Sequence, residues 1–233
     1  MKIELWSDFG CPFCYIGKKR FEGALNKFAH KDTVEVIYKA YQLNPNAPKI
    51  MVGAPNISFA KGHGTTPEAA TEKFKMFVQQ AKTVGLNYDY ENIQLTNTFD
   101  AHRVAKWANT LGLEAKLTDR FMSAYFTEGL NLADGETLVK LGLEVGLDEK
   151  GLREVVESNK FADLVNEQIV EGKQAGVQGV PFFVLNKKYG VSGAQQEDYF
   201  SQVLDHLWKE TQELETIKGA DESHTCNDEG CSL

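Results

Sequence analysis

The chain has 233 residues and a formal net charge of −8, with 42% hydrophobic and 25% charged residues. This composition is typical of a globular protein, and its acidic balance disfavours nucleic-acid binding, which requires a basic stripe. No apolar run approaches the roughly 18 residues needed to span a bilayer, so we predict neither a nucleic-acid partner nor a membrane partner. Composition leaves the oligomeric state open.

The N-terminal residues MKIELWSDFG contain one lysine and lack the apolar region of a signal peptide, which leads us to expect a cytoplasmic protein. The four cysteines form two pairs at opposite ends of the chain, Cys11 with Cys14 and Cys226 with Cys231. In a reducing compartment such cysteines are rarely a structural disulfide framework. We therefore expect catalytic, metal-binding or inert roles for them.

The first elements predict a strand, a helix and a second strand. Ile3 and Leu5 alternate with polar residues, as in a short strand. From Pro12 the apolar residues recur at helical spacing, and proline suits the first position of a helix. The segment TVEVIYKAY (33–41) is rich in β-branched and aromatic residues, which favours a second strand. This order is the start of a βαβ unit.

The middle of the chain is predicted to be helical after an irregular stretch. Three prolines between positions 43 and 56 indicate a loop, and residues 57–64 are also predicted to be irregular. Thr66 is a suitable N-cap for the first of the later helices. The predicted helices cover 66–85, 99–111, 114–127, 135–145, 148–158 and 160–174.

Strand character returns at VPFFVLN (180–186), and a second short strand and a final helix follow. The fold class is therefore α/β, with βαβ and ββα ends that together form a thioredoxin-like sheet. We predict a discontinuous thioredoxin-like domain (1–43 and 177–218), a large all-helical insertion domain (65–176), and a flexible C-terminal tail (219–233).

The dithiol CPFC (11–14) opens the first predicted helix. A thiolate attacks a disulfide, and the unpaired N–H groups and dipole at a helix N-terminus favour that anion. The spacing is about one helical turn, so Cys14 can close a disulfide with Cys11. Two other interpretations are a buried pair of small residues and half of a zinc site. The second is disfavoured because zinc requires four ligands and Pro12 suits a helix start.

The segment GVPFF (179–183) precedes the third predicted strand. In a thioredoxin-like sheet this loop faces the dithiol, so we predict a cis Val180–Pro181 bond with the Val180 backbone facing an incoming substrate. Local sequence alone would favour a trans bond, because cis is the minority state of X–Pro bonds. We expect Phe13 to be exposed between the cysteines and to contact substrates.

Five segments carry a family resemblance: WSDFGCPFCYIG (6–17), YQLNP (41–45), TFDAHRVAKWA (98–108), AYFTEGLNLAD (124–134) and GVQGVPFFVLNKKYGVSGAQ (176–195). Together they resemble the DsbA-like thioredoxin superfamily, and most of all its FrnE-like branch of intracellular dithiol oxidoreductases. The resemblance implies a thioredoxin fold with a helical insertion. It also implies that Cys11 is the nucleophile, Cys14 the resolving thiol and Pro181 the cis proline.

Two departures from relatives refine this resemblance. The same superfamily contains kappa-class glutathione transferases and 2-hydroxychromene-2-carboxylate isomerases, which typically carry serine where this chain has Cys11. Periplasmic oxidases of the superfamily often have histidine between the cysteines, whereas this chain has Pro12 and Phe13. A strongly oxidising potential therefore does not follow from the resemblance.

Three further features are candidate parts of the redox site. The tail segment HTCNDEGC (224–231) is interpreted as a relay in which Cys226 and Cys231 exchange electrons with the dithiol, as a weak metal site, or as inert. Asp8 would disfavour the Cys11 thiolate, relay a proton, or cap a turn. His102 lies on a predicted helix and is either structural or part of a pocket.

We predict a thiol–disulfide oxidoreductase that uses Cys11 and Cys14 and needs neither a cofactor nor a resident metal. Its expected partners are protein or small-molecule thiols and disulfides, glutathione among them. A redox- or metal-responsive binding protein and a glutathione-dependent isomerase or transferase are the alternatives. The direction of electron flow and the physiological substrate are not given by the sequence.

Overall fold

A computed structural model describes residues 1–212 and the backbone of residues 226–227 and 230–231. Its main sheet has four strands in the order β2-β1-β3-β4: β1 (Lys2–Ser7), β2 (Glu35–Ala40), β3 (Phe182–Leu185) and β4 (Tyr189–Ser192). Strand β1 runs parallel to β2 and antiparallel to β3, and β3 runs antiparallel to β4. The central pairing thus joins the two ends of the chain.

The helices in the described residues are α1 (Pro12–Lys27), α2 (Pro55–His63), α3 (Pro67–Lys82), α4 (Phe99–Asn109), α5 (Glu114–Phe126), α6 (Gly135–Val145), α7 (Glu149–Val156), α8 (Ala162–Gln174) and α9 (Glu197–Gln212). A 3₁₀ turn (Lys31–Thr33) leads into β2. Within the described part of the chain, no helix is both long enough and apolar enough to cross a membrane.

One hydrophobic core lies between the sheet, α1 and α9. Ile3 pairs with Leu185 and Leu5 with Phe183, so the same face of β1 and β3 is buried across their register. These side chains pack with residues of α1 and α9, namely Phe21, Ala24, Phe28, Phe200, Leu204 and Leu207. The two terminal parts of the chain therefore share one core.

A second core fills the helical segment between β2 and β3 and includes the first turn of α1. Cys11, Cys14, Tyr15 and Ile16 belong to this core, whereas the later residues of α1 pack on the sheet. The cysteine end of α1 therefore lies where the two cores meet.

The last helix of this segment, α8, covers the sheet at β1 and β2. The Trp6 Nε1–H donates a hydrogen bond to the Gln168 carbonyl (3.0 Å), and the Gln168 side-chain oxygen accepts one from the Ala40 amide (2.9 Å). A Cβ atom at Gly172 would lie 2.6 Å from Trp6 Nε1. Glycine is thus required for the close approach of α8 to the sheet.

One predicted element is wrong, and the boundaries of the other predicted strands and helices agree with the structure to within a few residues. Helix α2 replaces part of the stretch that we expected to be irregular. Pro55 occupies an N-terminal position of this helix, which proline tolerates, and Gly64 ends it with a left-handed φ of 61°. Pro55 therefore marks the start of a helix, whereas the prolines before it lie in a loop. Thr66 caps α3 as predicted, by accepting a hydrogen bond from the Ala69 amide (3.2 Å).

Candidate active site

Cys11 is the N-cap residue of α1, with φ −92° and ψ 114°, and Pro12 follows it in the first turn. No side chain caps this helix end and no acidic residue lies in its first turn. Both Cys11 and Cys14 are free thiols. The Cys11 thiol thus lies at the positive end of the helix dipole, which favours an anion at this position.

The loop before β3 contacts this thiol. The Cys11 Sγ–H donates a hydrogen bond to the Val180 carbonyl at 3.3 Å, and the Val180–Pro181 bond is cis. A Cβ atom at Gly17 would lie 2.9 Å from Pro181 Cγ, so α1 approaches the loop closely. The structure therefore brings Cys11, Val180 and Pro181 together.

Cys14 is fully buried, and its sulfur accepts a hydrogen bond from the Asp8 amide at 3.5 Å. Burial raises the pKa of the Cys14 thiol well above its usual value, and the neighbouring Cys11 raises it further. Cys14 is therefore a protonated thiol at neutral pH. Its position in the first turn of α1 places it next to Cys11, as a resolving thiol requires.

Aromatic side chains of the helical segment cover the dithiol, and Cys11 is only 4% exposed. The Tyr88 hydroxyl donates a hydrogen bond to the Pro12 carbonyl (2.7 Å). Phe13 is half-buried with its ring edge-on to Phe77, at 5.5 Å between centroids. Phe13 thus differs from the exposed side chain that we expected, because α3 packs over it.

Tyr88 and Tyr90 were not predicted as site residues. Burial raises the pKa of both phenols, and the neighbouring Cys11 raises it further. Both hydroxyls are therefore neutral. They lie more than 70 residues from the dithiol in the sequence and belong to no motif that would have indicated them.

The structure brings Asp8 and His102 together, two residues that the sequence left as separate candidates. Both are buried, and His102 Nε2 lies 3.7 Å from Asp8 Oδ1. The carboxylate accepts hydrogen bonds from the Thr98 hydroxyl (2.7 Å), the Gly10 amide (3.2 Å) and the Leu43 amide (2.7 Å). The Asp8 side chain thus connects the turn before the dithiol to the loop after β2 and to the start of α4.

Burial alone would raise the pKa of the Asp8 carboxyl, but His102 and the donated hydrogen bonds outweigh it, and the net pKa is lowered. Asp8 is therefore an ionised carboxylate at neutral pH. Its backbone also holds the turn, because the Asp8 carbonyl accepts a hydrogen bond from the Cys11 amide (3.1 Å).

The predictions for the tail concern residues that lie outside the described part of the chain, apart from two short backbone segments: His224, Cys226, Asp228 and Cys231. These segments pair antiparallel, with Cys226 opposite Cys231. Within residues 1–212, no three His, Cys, Asp or Glu side chains cluster so that they could hold a metal ion. The relay, the metal site and the inert tail all stay predictions.

The family model of the DSBA-like thioredoxin domain matches residues 2–205, and the chain belongs to this family. The predicted resemblance to the DsbA-like superfamily and the predicted thioredoxin-like α/β fold with a helical insertion are therefore confirmed.

Individual relatives agree with this assignment. A probable DsbA oxidoreductase from Streptomyces coelicolor is 36% identical, with a TM-score of 0.85 over 100% of this chain and 99% of its own. The uncharacterized protein YwbO of Bacillus subtilis is 27% identical over 209 residues, which is 87% of this chain and 94% of YwbO. A 2-hydroxychromene-2-carboxylate isomerase shares the fold, with 16% identity and a TM-score of 0.69 over 93% of this chain and 100% of its own.

Proposed function

We propose that this protein is a thiol–disulfide oxidoreductase in which Cys11 is the attacking thiol and Cys14 the resolving thiol. The observation that carries the proposal is the position of Cys11 as the N-cap of α1, with the free, buried Cys14 three residues later. Membership of the DsbA-like family supports the same class.

The two thiols have complementary roles in this mechanism. The Cys11 thiolate attacks a substrate disulfide and forms a mixed disulfide, and the first substrate sulfur leaves as a thiolate that takes a proton from solvent. Cys14 then attacks Cys11 Sγ and breaks its bond to the substrate, and the Cys14 proton passes to the second substrate sulfur, which leaves as a thiol while a Cys11–Cys14 disulfide remains. Because burial keeps Cys14 protonated, it does not compete with Cys11 for the first attack.

The substrates in this proposal are protein or small-molecule disulfides, and glutathione is the proposed thiol that returns the dithiol to its reduced form in the cytoplasm. The Val180 backbone would contact the substrate, because its carbonyl already accepts a hydrogen bond from the Cys11 thiol. Pro181 would hold that carbonyl in place, and Phe13 would contact the substrate once the cover over Cys11 opens. With Cys11 only 4% exposed, this opening precedes attack on a large substrate.

A relay through the tail is compatible with the length of the chain. The described part of α9 extends to Gln212, and its Trp208 stacks on His30 beyond the far end of α1 (3.8 Å between ring centroids). With 16 residues, α1 is about 24 Å long. Fourteen residues lead from Gln212 to Cys226 and span up to about 46 Å when extended. We propose that the tail thiols can reach Cys11 within one molecule.

The proposal is tested by the reduction of insulin disulfides with glutathione as the electron donor. We expect Cys11→Ser to abolish turnover and Cys14→Ser to accumulate mixed disulfides at Cys11. The variant Cys226→Ser/Cys231→Ser is the matched control for loss of thiols and separates the dithiol from the relay. Turnover by Cys11→Ser close to that of the unchanged protein would contradict the proposal. Full turnover by the tail variant would contradict only the relay.

A further inference from the structure

His102 carries a buried polar atom that the proposed mechanism does not use. Among residues 1–212, its Nε2 is the one buried side-chain nitrogen or oxygen that has no hydrogen-bond partner. The residue is 4% exposed, and its ring packs against that of Phe9 (4.6 Å between centroids). An unpartnered buried polar atom lowers the stability of a fold, and an apolar side chain at this position would avoid that loss.

Among the described residues that contact the Asp8 carboxylate, His102 is the one whose side chain can carry a positive charge. The hydrogen bonds to the carboxylate come from neutral donors, and in the described part of the chain no lysine or arginine forms an ion pair with it. Tyr125 of α5 faces the same carboxylate, but burial and the charge of Asp8 raise the pKa of its phenol, so it is neutral. Phe9 and Phe121, which also pack here, are apolar.

The backbone of Asp8 connects this pair to both cysteines. The Asp8 carbonyl accepts the hydrogen bond of the Cys11 amide, and the Asp8 amide donates to the Cys14 sulfur. A thiolate at Cys11 would therefore form in the same buried turn as Asp8, one backbone hydrogen bond away from the residue that carries the ionised carboxylate. Two buried like charges are strongly unfavourable unless a positive charge balances them.

We propose that His102 holds the proton that balances the Cys11 thiolate, so that reduction of the disulfide is coupled to protonation of this imidazole. This inference rests on the proposed function. In this mechanism His102 is a positioning residue that acts through Asp8. Two substrate thiols give two electrons to the Cys11–Cys14 bond and become a disulfide. Of their two protons, one goes to Cys14 and the other to His102 Nε2, which leaves the thiolate at Cys11 and conserves charge.

The test is the pH dependence of Cys11 alkylation by iodoacetamide in the reduced chain, with Cys226→Ser/Cys231→Ser as the parent protein. His102→Gln removes the balancing charge. Cys11 should then react about tenfold more slowly at pH 6, which corresponds to a loss of about 1.4 kcal/mol in the stabilisation of the thiolate. At pH 9.5 the thiolate forms without help, and His102→Gln should react as fast as the parent. A merely structural role would slow the reaction equally at both pH values.

His206→Gln is the matched control. His206 Nε2 also lies 3.7 Å from a carboxylate oxygen, that of Glu210, but its side chain is 60% exposed and remote from the dithiol. We expect this variant to follow the parent at every pH. The inference is overturned if His102→Gln keeps the profile of the parent or is slowed equally at both pH values. If the chain with all four cysteines fails to reduce insulin, the proposed function fails, which is a separate result.

Discussion

Cys11 and Cys14 are three positions apart, and yet their thiols have different surroundings. Cys11 Sγ contacts the Val180 carbonyl at the open end of α1, whereas Cys14 is fully buried against the Asp8 amide. Burial raises the pKa of the Cys14 thiol, whereas Cys11 lies at the N-terminus of α1, where the helix dipole favours an anion. The order of attack in the proposed mechanism follows from this difference.

Asp8 should stabilise the fold in a way that depends on pH. Because its pKa in the folded protein is lowered, its contribution is complete above the unfolded value of about 3.9 and is lost as the pH falls through the lower folded value. We expect Asp8→Asn to lower the free energy of unfolding by about 2 kcal/mol at pH 7, since charge-assisted hydrogen bonds are lost. Urea unfolding at pH 7 and near pH 2.5 measures this difference.

Asp89→Asn is the control for that experiment. Asp89 also has a lowered pKa, but it is only partly buried and its carboxylate accepts hydrogen bonds only from Glu91 and Asn92 in its own turn. Its substitution should change stability much less. If the deficit of Asp8→Asn were the same at both pH values, the role assigned to the ionised carboxylate would be wrong.

At the scale of elements, α1 is the piece that connects the sheet to the helical segment. Its first turn belongs to the core of the helical segment and its later turns to the core under the sheet. The same helix approaches the loop before β3 at Gly17, where a Cβ atom would lie 2.9 Å from the Pro181 ring and 3.3 Å from Ala194. The contact between Cys11 and Val180 thus depends on how closely α1 can pack.

Gly17→Ala tests this dependence. Alanine favours the helix by about 1 kcal/mol, but its methyl group must displace Pro181 or Ala194, which costs about 1–3 kcal/mol. We expect a loss of insulin reduction that is larger than the loss of stability, because the displaced loop carries Val180. Gly62→Ala in α2, where a Cβ atom meets nothing within 4 Å, should be neutral or slightly stabilising. Full activity of Gly17→Ala would show that the close approach is unimportant.

For the whole molecule, the sequence predicted the features that depend on local pattern. The strands, most helices and the dithiol at a helix start follow from periodicity, capping and spacing, and the fold class was correct. Helix α2 was missed because Pro55 and the two prolines before it indicated a loop, although proline is also favoured at a helix start. The contacts of Phe13 with Phe77 and of Asp8 with His102 join residues far apart in sequence, and no local pattern encodes such packing.

The aromatic cover over the dithiol should control access to Cys11. Phe77→Ala removes the ring against Phe13 and should raise the rate of Cys11 alkylation severalfold in the folded protein, at a cost in stability of about 3 kcal/mol. Met76→Ala is the control, because Met76 lies on the same helix but is 43% exposed. The measurement is the rate of Cys11 alkylation in the two folded variants, and urea unfolding verifies that both are folded. Equal rates for the two variants would show that α3 does not limit access.

The central claim is that Cys11 and Cys14 exchange disulfides as a pair. It is tested most directly by reacting the reduced protein with one equivalent of a substrate disulfide and mapping the cysteine peptides under non-reducing conditions. We expect a Cys11–Cys14 disulfide to form in the same amount as the substrate disulfide that is lost. Loss of the substrate disulfide without this bond, or formation of the bond without release of substrate thiols, would contradict the account.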